Sequence, residues 1–128
     1  KMRKQINHVK NFHEAFGIEN KEIPTANVSK SVFNLRFKLM QEENQEYMEA
    51  CQNGDLNEIA DALGDMMYIL CGTILAHGLQ SKIELIFEEI QKSNMSKLGS
   101  DGKPIYNEKG KVMKGPNYSE PNLKQFLE

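Results

Sequence analysis

Apolar residues return at three- and four-residue steps along most of the first hundred positions, the spacing of helices that turn one face inward. Ile6, Val9, Phe12 and Phe16 mark a first stretch, Met2 to Phe16, which Gly17 brings to a stop. Pro24 marks a linker. Ser29 or Ser31 can cap a second helix running to about Gln52, roughly six turns long, with Val32, Leu35, Leu39 and Met40 in its apolar face and Asn53-Gly54 as its end. Asp55 then fits the N-cap of a third helix, with Glu58 as its capping-box partner. Ile59, Leu63, Met66 and Leu70 trace its stripe, which reaches Ala76 before His77-Gly78. A fourth helix follows Ser81 and carries Ile83, Ile86, Phe87 and Ile90 to about Leu98.

From Gly99 onward the periodicity disappears into Gly, Pro, Lys, Asn and Tyr, with room for a small hairpin: residues 103–106 and 111–114 flank a turn at 107–110. The pattern therefore predicts an all-α fold: a four-helix bundle protomer over residues 2–98 and an irregular C-terminal segment over 99–128. Ile69, Ile74 and Leu75 extend the apolar surface of the third helix beyond one stripe, which suggests an assembly larger than one protomer, although a four-helix chain can also bury such surface by itself.

Composition narrows the functional classes. The chain has 128 residues, one domain by length, with a formal net charge of -2 and a pI near 6.0. That balance gives no reason to bind nucleic acid or membrane, and no run approaches the ~20 apolar residues of a membrane span. Cys51 and Cys71 lie within helical patterns without metal-type spacing, and are expected to be buried free thiols in a reducing cytoplasm. No N-terminal stretch resembles a signal peptide, and Lys1 before Met2 suggests a native start at Met2 after one vector-derived residue. His8, His13 and His77 have no ligand-like spacing, the seven methionines fit core packing, and no GxxxxGKS loop or GxSxG elbow occurs.

Charge patterning changes the picture most. Between Glu42 and Asp65 stand eight acidic residues (Glu42, Glu43, Glu46, Glu49, Asp55, Glu58, Asp61 and Asp65) and no Lys or Arg. At 100° per residue Glu42, Glu46 and Glu49 share a narrow sector with Glu43 at its edge, and Glu58, Asp61 and Asp65 line one side of the next helix. Antiparallel packing about Asn53-Gly54 lets both acidic faces meet. Carboxylates without His or Cys are hard ligands suited to Mg²⁺ or Mn²⁺, with phosphate oxygens completing the shell. Acidic helical runs are usually solvated faces; the second acidic pair and the missing cations weigh against that here. Glu58 also suits a pure capping role, and Glu49, Asp55 and Asp65 are read as structural or outer-shell.

The arrangement Glu42-Glu43-Asn44-Gln45-Glu46, an eleven-residue spacer, then Glu58-Ile59-Ala60-Asp61 resembles the EExxE…ExxD pattern of the all-α nucleoside triphosphate pyrophosphohydrolases, the MazG-like and dimeric dUTPase-like group. Ser93-Asn94-Met95-Ser96-Lys97 and Gly110-Lys111-Val112-x-Lys114-Gly115-Pro116-x-Tyr118 resemble the C-terminal segment of phosphoribosyl-ATP pyrophosphohydrolase-like members. Together these features span residues 29–121. The resemblance implies that Glu43, Glu46, Glu58 and Asp61 hold Mg²⁺, with Mn²⁺ an alternative, and that Glu42 binds a further ion or orients the attacking water. It also implies cleavage between the α- and β-phosphates to give a nucleoside monophosphate and pyrophosphate, a house-cleaning role in the nucleotide pool, and a homodimer or dimer of dimers.

Six lysines against two acids between Lys92 and Lys114 offer the complementary charge. Asn94 and Lys97, one turn apart, suit base, ribose or phosphate, with Lys111, Lys114 and Tyr118 closing over the substrate. Lys38 is either a phosphate contact or an i,i+4 partner of Glu42. Two other readings stand beside this one: a non-catalytic helical module whose acidic face docks on a basic partner, and an enzyme whose substrate is phosphoribosyl-ATP.

Overall fold

Five helices form in the computed structural model, which describes residues 2–128: α1 (Arg3–Ala15), α2 (Lys30–Gln52), α3 (Leu56–Ala76), α4 (Ile83–Met95) and α5 (Lys124–Leu127). Lys1, the expected vector-derived residue, lies outside the described residues. Among these there is no strand, only one antiparallel bridge between Tyr106 and Val112, so the fold is all-α, as the periodicity predicts. The hairpin forms as that minimal bridge, with Asn107 Oδ1 accepting from the main-chain N–H groups of Lys109 and Lys111, both at 2.9 Å. The one-turn α5 has no counterpart in the sequence pattern, because four residues carry no helical period.

Contacts divide the chain into two compact units, one ending at Ser81 and one running from Lys82 to Glu128. The first contains α1, α2 and α3; the second contains α4, the irregular segment and α5. A composition change separates 2–98 from 99–128, whereas contacts group α4 with the segment that follows it. Ser93 shows why: its buried hydroxyl donates to Ser119 O at 2.8 Å, and Ser96 Oγ accepts from Ser119 N–H at 3.0 Å.

In the first unit α3 is central, packing against both α1 and α2. Its C-terminal half supplies Cys71, Ile74, Leu75 and Ala76 to the core, and α1 supplies Ile6 and Val9. The predicted stripes hold only in part. Phe16 is 68% and Leu35 53% exposed, and Leu63 and Leu70 are nearly half exposed. The side of α3 turned toward α2 is instead Ile59, Ala62, Met66, Ile69 and Thr73, which recur at helical spacing and are half-buried or buried. Phe87 on α4 is likewise exposed, and so is Cys51, contrary to its expected burial; only Cys71 is a buried thiol. In its 18-residue window of mean hydropathy 1.5, α3 is long and apolar enough to cross a membrane, which composition alone did not suggest. Three carboxylates in its first ten residues and the helices packed on both sides are the features of a central bundle helix.

Polar pins hold this unit together. His13, 2% exposed, donates from Nδ1 to Asn20 Oδ1 at 2.6 Å. The segment after α1 is stitched to the end of α3: Lys21 N–H donates to Leu75 O at 3.0 Å, Thr25 N–H to His77 O at 2.8 Å, and His77 Nδ1 to Thr25 O at 2.9 Å. Gly78 allows this closeness, because its φ is +68° and a Cβ there would run into the Ile23 main chain. Gly78→Ala is therefore expected to lose at least ~2 kcal/mol in urea denaturation, the left-handed penalty of about 1–2 kcal/mol plus the clash.

Candidate metal and active site

The acidic faces meet because α2 and α3 share their connection. Asn53 ends α2, Gly54 follows at φ +63°, and the N–H groups of Gly54 and Asp55 reach back to Cys51 O at 3.1 Å and Ala50 O at 3.0 Å. This is the Schellman pattern. The residue completing it, Asp55, is also the N-cap of α3, accepting from Glu58 N–H at 3.1 Å. One residue thus ends one helix and starts the next, and the chain must reverse. Since the Asp55 N–H is committed to Ala50 O, the reciprocal capping-box bond from Glu58 is not made, and the Glu58 carboxylate is free of helix-end duty.

Against this turn lies a cleft of about 310 Å³ lined by Glu46, Glu49, Asn53, Asp55, Glu58 and Asp61 with Ala50, and by no basic residue. One to two turns further from the connection, Glu43 faces α3. It is half-buried, with Oε2 shielded from solvent and without a hydrogen-bond partner. Loss of solvent, then the adjoining Glu46 carboxyl, then the charges of Asp65, Glu46 and Asp61 push its pKa from 4.5 up to about 7. The structure therefore joins Glu43 to Glu46, Asp61 and Asp65. Asp65, read from sequence as structural or outer-shell on the same side of α3 as Asp61, acts on Glu43 as part of this group.

Among the described residues no three carboxylate, imidazole or thiol groups converge as a closed ligand cage. The donor set nevertheless fits a hard divalent cation: all oxygen, negative, spread over two facing helices, and including a buried oxygen with no partner.

The other candidate residues fall elsewhere. Glu42 is exposed on α2, outside both the cleft lining and the groups acting on Glu43. Lys38 is exposed, and it does not pair with Glu42; the only ion pair among the described residues joins Lys21 and Glu19 at 3.4 Å. In the second unit, Asn94 is exposed near the end of α4 and Lys97 is half-buried just beyond it. Gly115 lies so close to the Lys97 and Leu98 carbonyls that a Cβ would collide with them. Lys114 Nζ stands 4.7 Å above the Tyr118 ring. This packing gathers Lys97, Lys114 and Tyr118 on neighbouring stretches, while Lys111 is exposed in the hairpin.

The first unit is all-helical with two acidic helices facing each other, and comparison with known proteins gives the family. The family model for phosphoribosyl-ATP pyrophosphohydrolase matches residues 9–94, more than half of the chain. The protein belongs to this family, within the MazG-like all-helical pyrophosphohydrolases, and is a pyrophosphohydrolase. That sets aside the non-catalytic docking module. No curated protein matches the chain. Among 24 similar solved chains is one from Exiguobacterium sp. 255-15, described as a proposed NTP pyrophosphohydrolase, with 24% identity, a TM-score of 0.48, and coverage of 91% of this chain and 88% of that one.

The raised Glu43 pKa carries a stability signature. Folding favours the protonated carboxyl, so this contribution is fully present below 4.5 and is lost as pH rises through about 7. In chelator, the melting temperature of the wild type is expected to fall across that window because of this group, and Glu43→Gln is expected to flatten the fall.

Proposed function

We propose that the protein is a Mg²⁺-dependent nucleoside triphosphate pyrophosphohydrolase that cleaves a (d)NTP to (d)NMP and pyrophosphate, in a house-cleaning role. The observation that carries this reading is the partnerless buried oxygen of Glu43 among Glu46, Asp61 and Asp65. Glu43, Glu46, Asp61 and Asp65 would hold the metal, with Glu58 and Glu49 at the neighbouring cleft. Bound there, Mg²⁺ or Mn²⁺ would neutralise triphosphate charge and acidify water.

The chain's own carboxylates supply the proton acceptor. The resemblance makes Glu42 either the ligand of a further ion or the residue that orients the attacking water, and a position in the cleft supports Glu58 for the proton, its side chain left free by the helix cap. Lys38, Asn94, Lys97, Lys111, Lys114 and Tyr118 are the proposed substrate contacts. Phosphoribosyl-ATP is the second reading, favoured by the family to which the chain belongs.

Pyrophosphate release across a panel of dNTPs and phosphoribosyl-ATP, with and without Mg²⁺, tests both substrates. Activity is expected to require the metal and to fall at least ~100-fold in Glu46→Ala; full activity of this variant removes the proposed site. Glu42→Gln and Glu58→Gln then identify the base as the one that loses kcat while keeping Mn²⁺ affinity.

The exposed apolar row Leu56, Leu63, Met67 and Leu70 along α3 supports a homodimer or dimer of dimers. Sedimentation should give an assembly larger than the 14.6 kDa chain, reduced to that mass by Leu63→Glu with Met67→Glu.

A further inference from the structure

The guanidinium of Arg36 is half-buried between α2 and α3, and desolvation lowers its pKa. Among the described residues it has no carboxylate partner. Its Nε donates to Thr73 Oγ1 at 3.1 Å and its Nη2 to Ile69 O at 2.9 Å, while Thr73 Oγ1 donates to the same Ile69 O at 2.8 Å. Three bonds thus close a triangle in which each donor direction is fixed. Gly72 opens the space for it, since a Cβ there would collide with Arg36 Nη2 and stand 3.0 Å from His13 Nε2. A cation so placed costs desolvation that an apolar side chain would avoid. What the cation adds over an apolar residue is direction.

That direction bears on the acidic group. Arg36 precedes Glu43 by seven residues, two helical turns on the same face of α2, and Thr73 follows Asp65 by eight, about two turns along α3. The triangle and the carboxylates are therefore successive rungs between the same two helices. We propose that Arg36 is a positioning residue: its fork on Ile69 and Thr73 fixes the axial register of α2 on α3 and so sets Glu43 and Glu46 opposite Asp61 and Asp65. This rests on the metal-site reading above. The connection at Asn53-Gly54 fixes register at one end only, and Arg36 fixes it at the other.

Mn²⁺ binding, followed by electron paramagnetic resonance, tests the proposal alongside helical circular dichroism and melting temperature. Arg36→Lys keeps the charge but loses the planar fork, and Thr73→Val removes the acceptor of Nε. Each is expected to stay helical and to bind Mn²⁺ about tenfold more weakly, the lower end of what losing outer-shell support costs. The double variant is expected to lose no more than the worse single one, because both cut the same link. A drop in melting temperature with wild-type Mn²⁺ affinity would overturn the positioning role, as would full rescue by lysine. Should Arg36→Lys fail to fold, unchanged affinity in Thr73→Val alone would overturn it. Wild-type protein that fails to bind Mn²⁺ would instead remove the metal site, and the positioning role with it.

Discussion

Antiparallel packing of α2 on α3 with no basic side chain lining the cleft between their acidic faces is the constraint from which the rest follows. Carboxylates in water tolerate proximity, but a shielded one does not, and Glu43 Oε2 is shielded without a partner. Loss of solvent and the neighbouring carboxylates therefore push its pKa up to about 7. The proposed divalent cation would offset this charge. The strain between like charges and the proposed catalytic chemistry therefore share one origin.

Holding such faces together requires other interactions to oppose repulsion. At one end, the Schellman turn and the Asp55 cap share a residue, leaving no slack in the connection. At the other, Arg36 spans the helices through directional bonds. The apolar core lies further along α3, around Cys71, Ile74 and Leu75, where α1 packs. The acidic half of α3 is thus stabilised mainly from its neighbours rather than by its own burial, which leaves its carboxylates accessible.

Much of this was legible beforehand. Helix limits followed from Ser29, Asp55, Gly17 and Gly78, because caps and left-handed glycines act within a few residues. The EExxE…ExxD resemblance pointed to the family that the comparison then gave. Asp65, by contrast, was read as structural or outer-shell, His13 was noted only for lacking ligand-like spacing, and Arg36 drew no attention. Their roles depend on what lies across the interface, and nothing in their own helices marks it. The exposure of Phe16, Leu35 and Cys51 was missed for the same reason: periodicity identifies a face without saying whether another element covers it.

Local chemistry in the sequence determined that the chain would be helical, where α2 and α3 would begin and end, and that two acid-rich helices would be joined by a tight turn. These are properties of neighbours a few residues apart, and short-range hydrogen bonding and sterics decide them. Only the tertiary structure decided which carboxylates share an environment, that Glu43 rather than Glu42 turns inward, and that Arg36 closes the far end of the pair. Desolvation and charge coupling depend on distances between residues remote in sequence, and those distances exist only once the helices are packed.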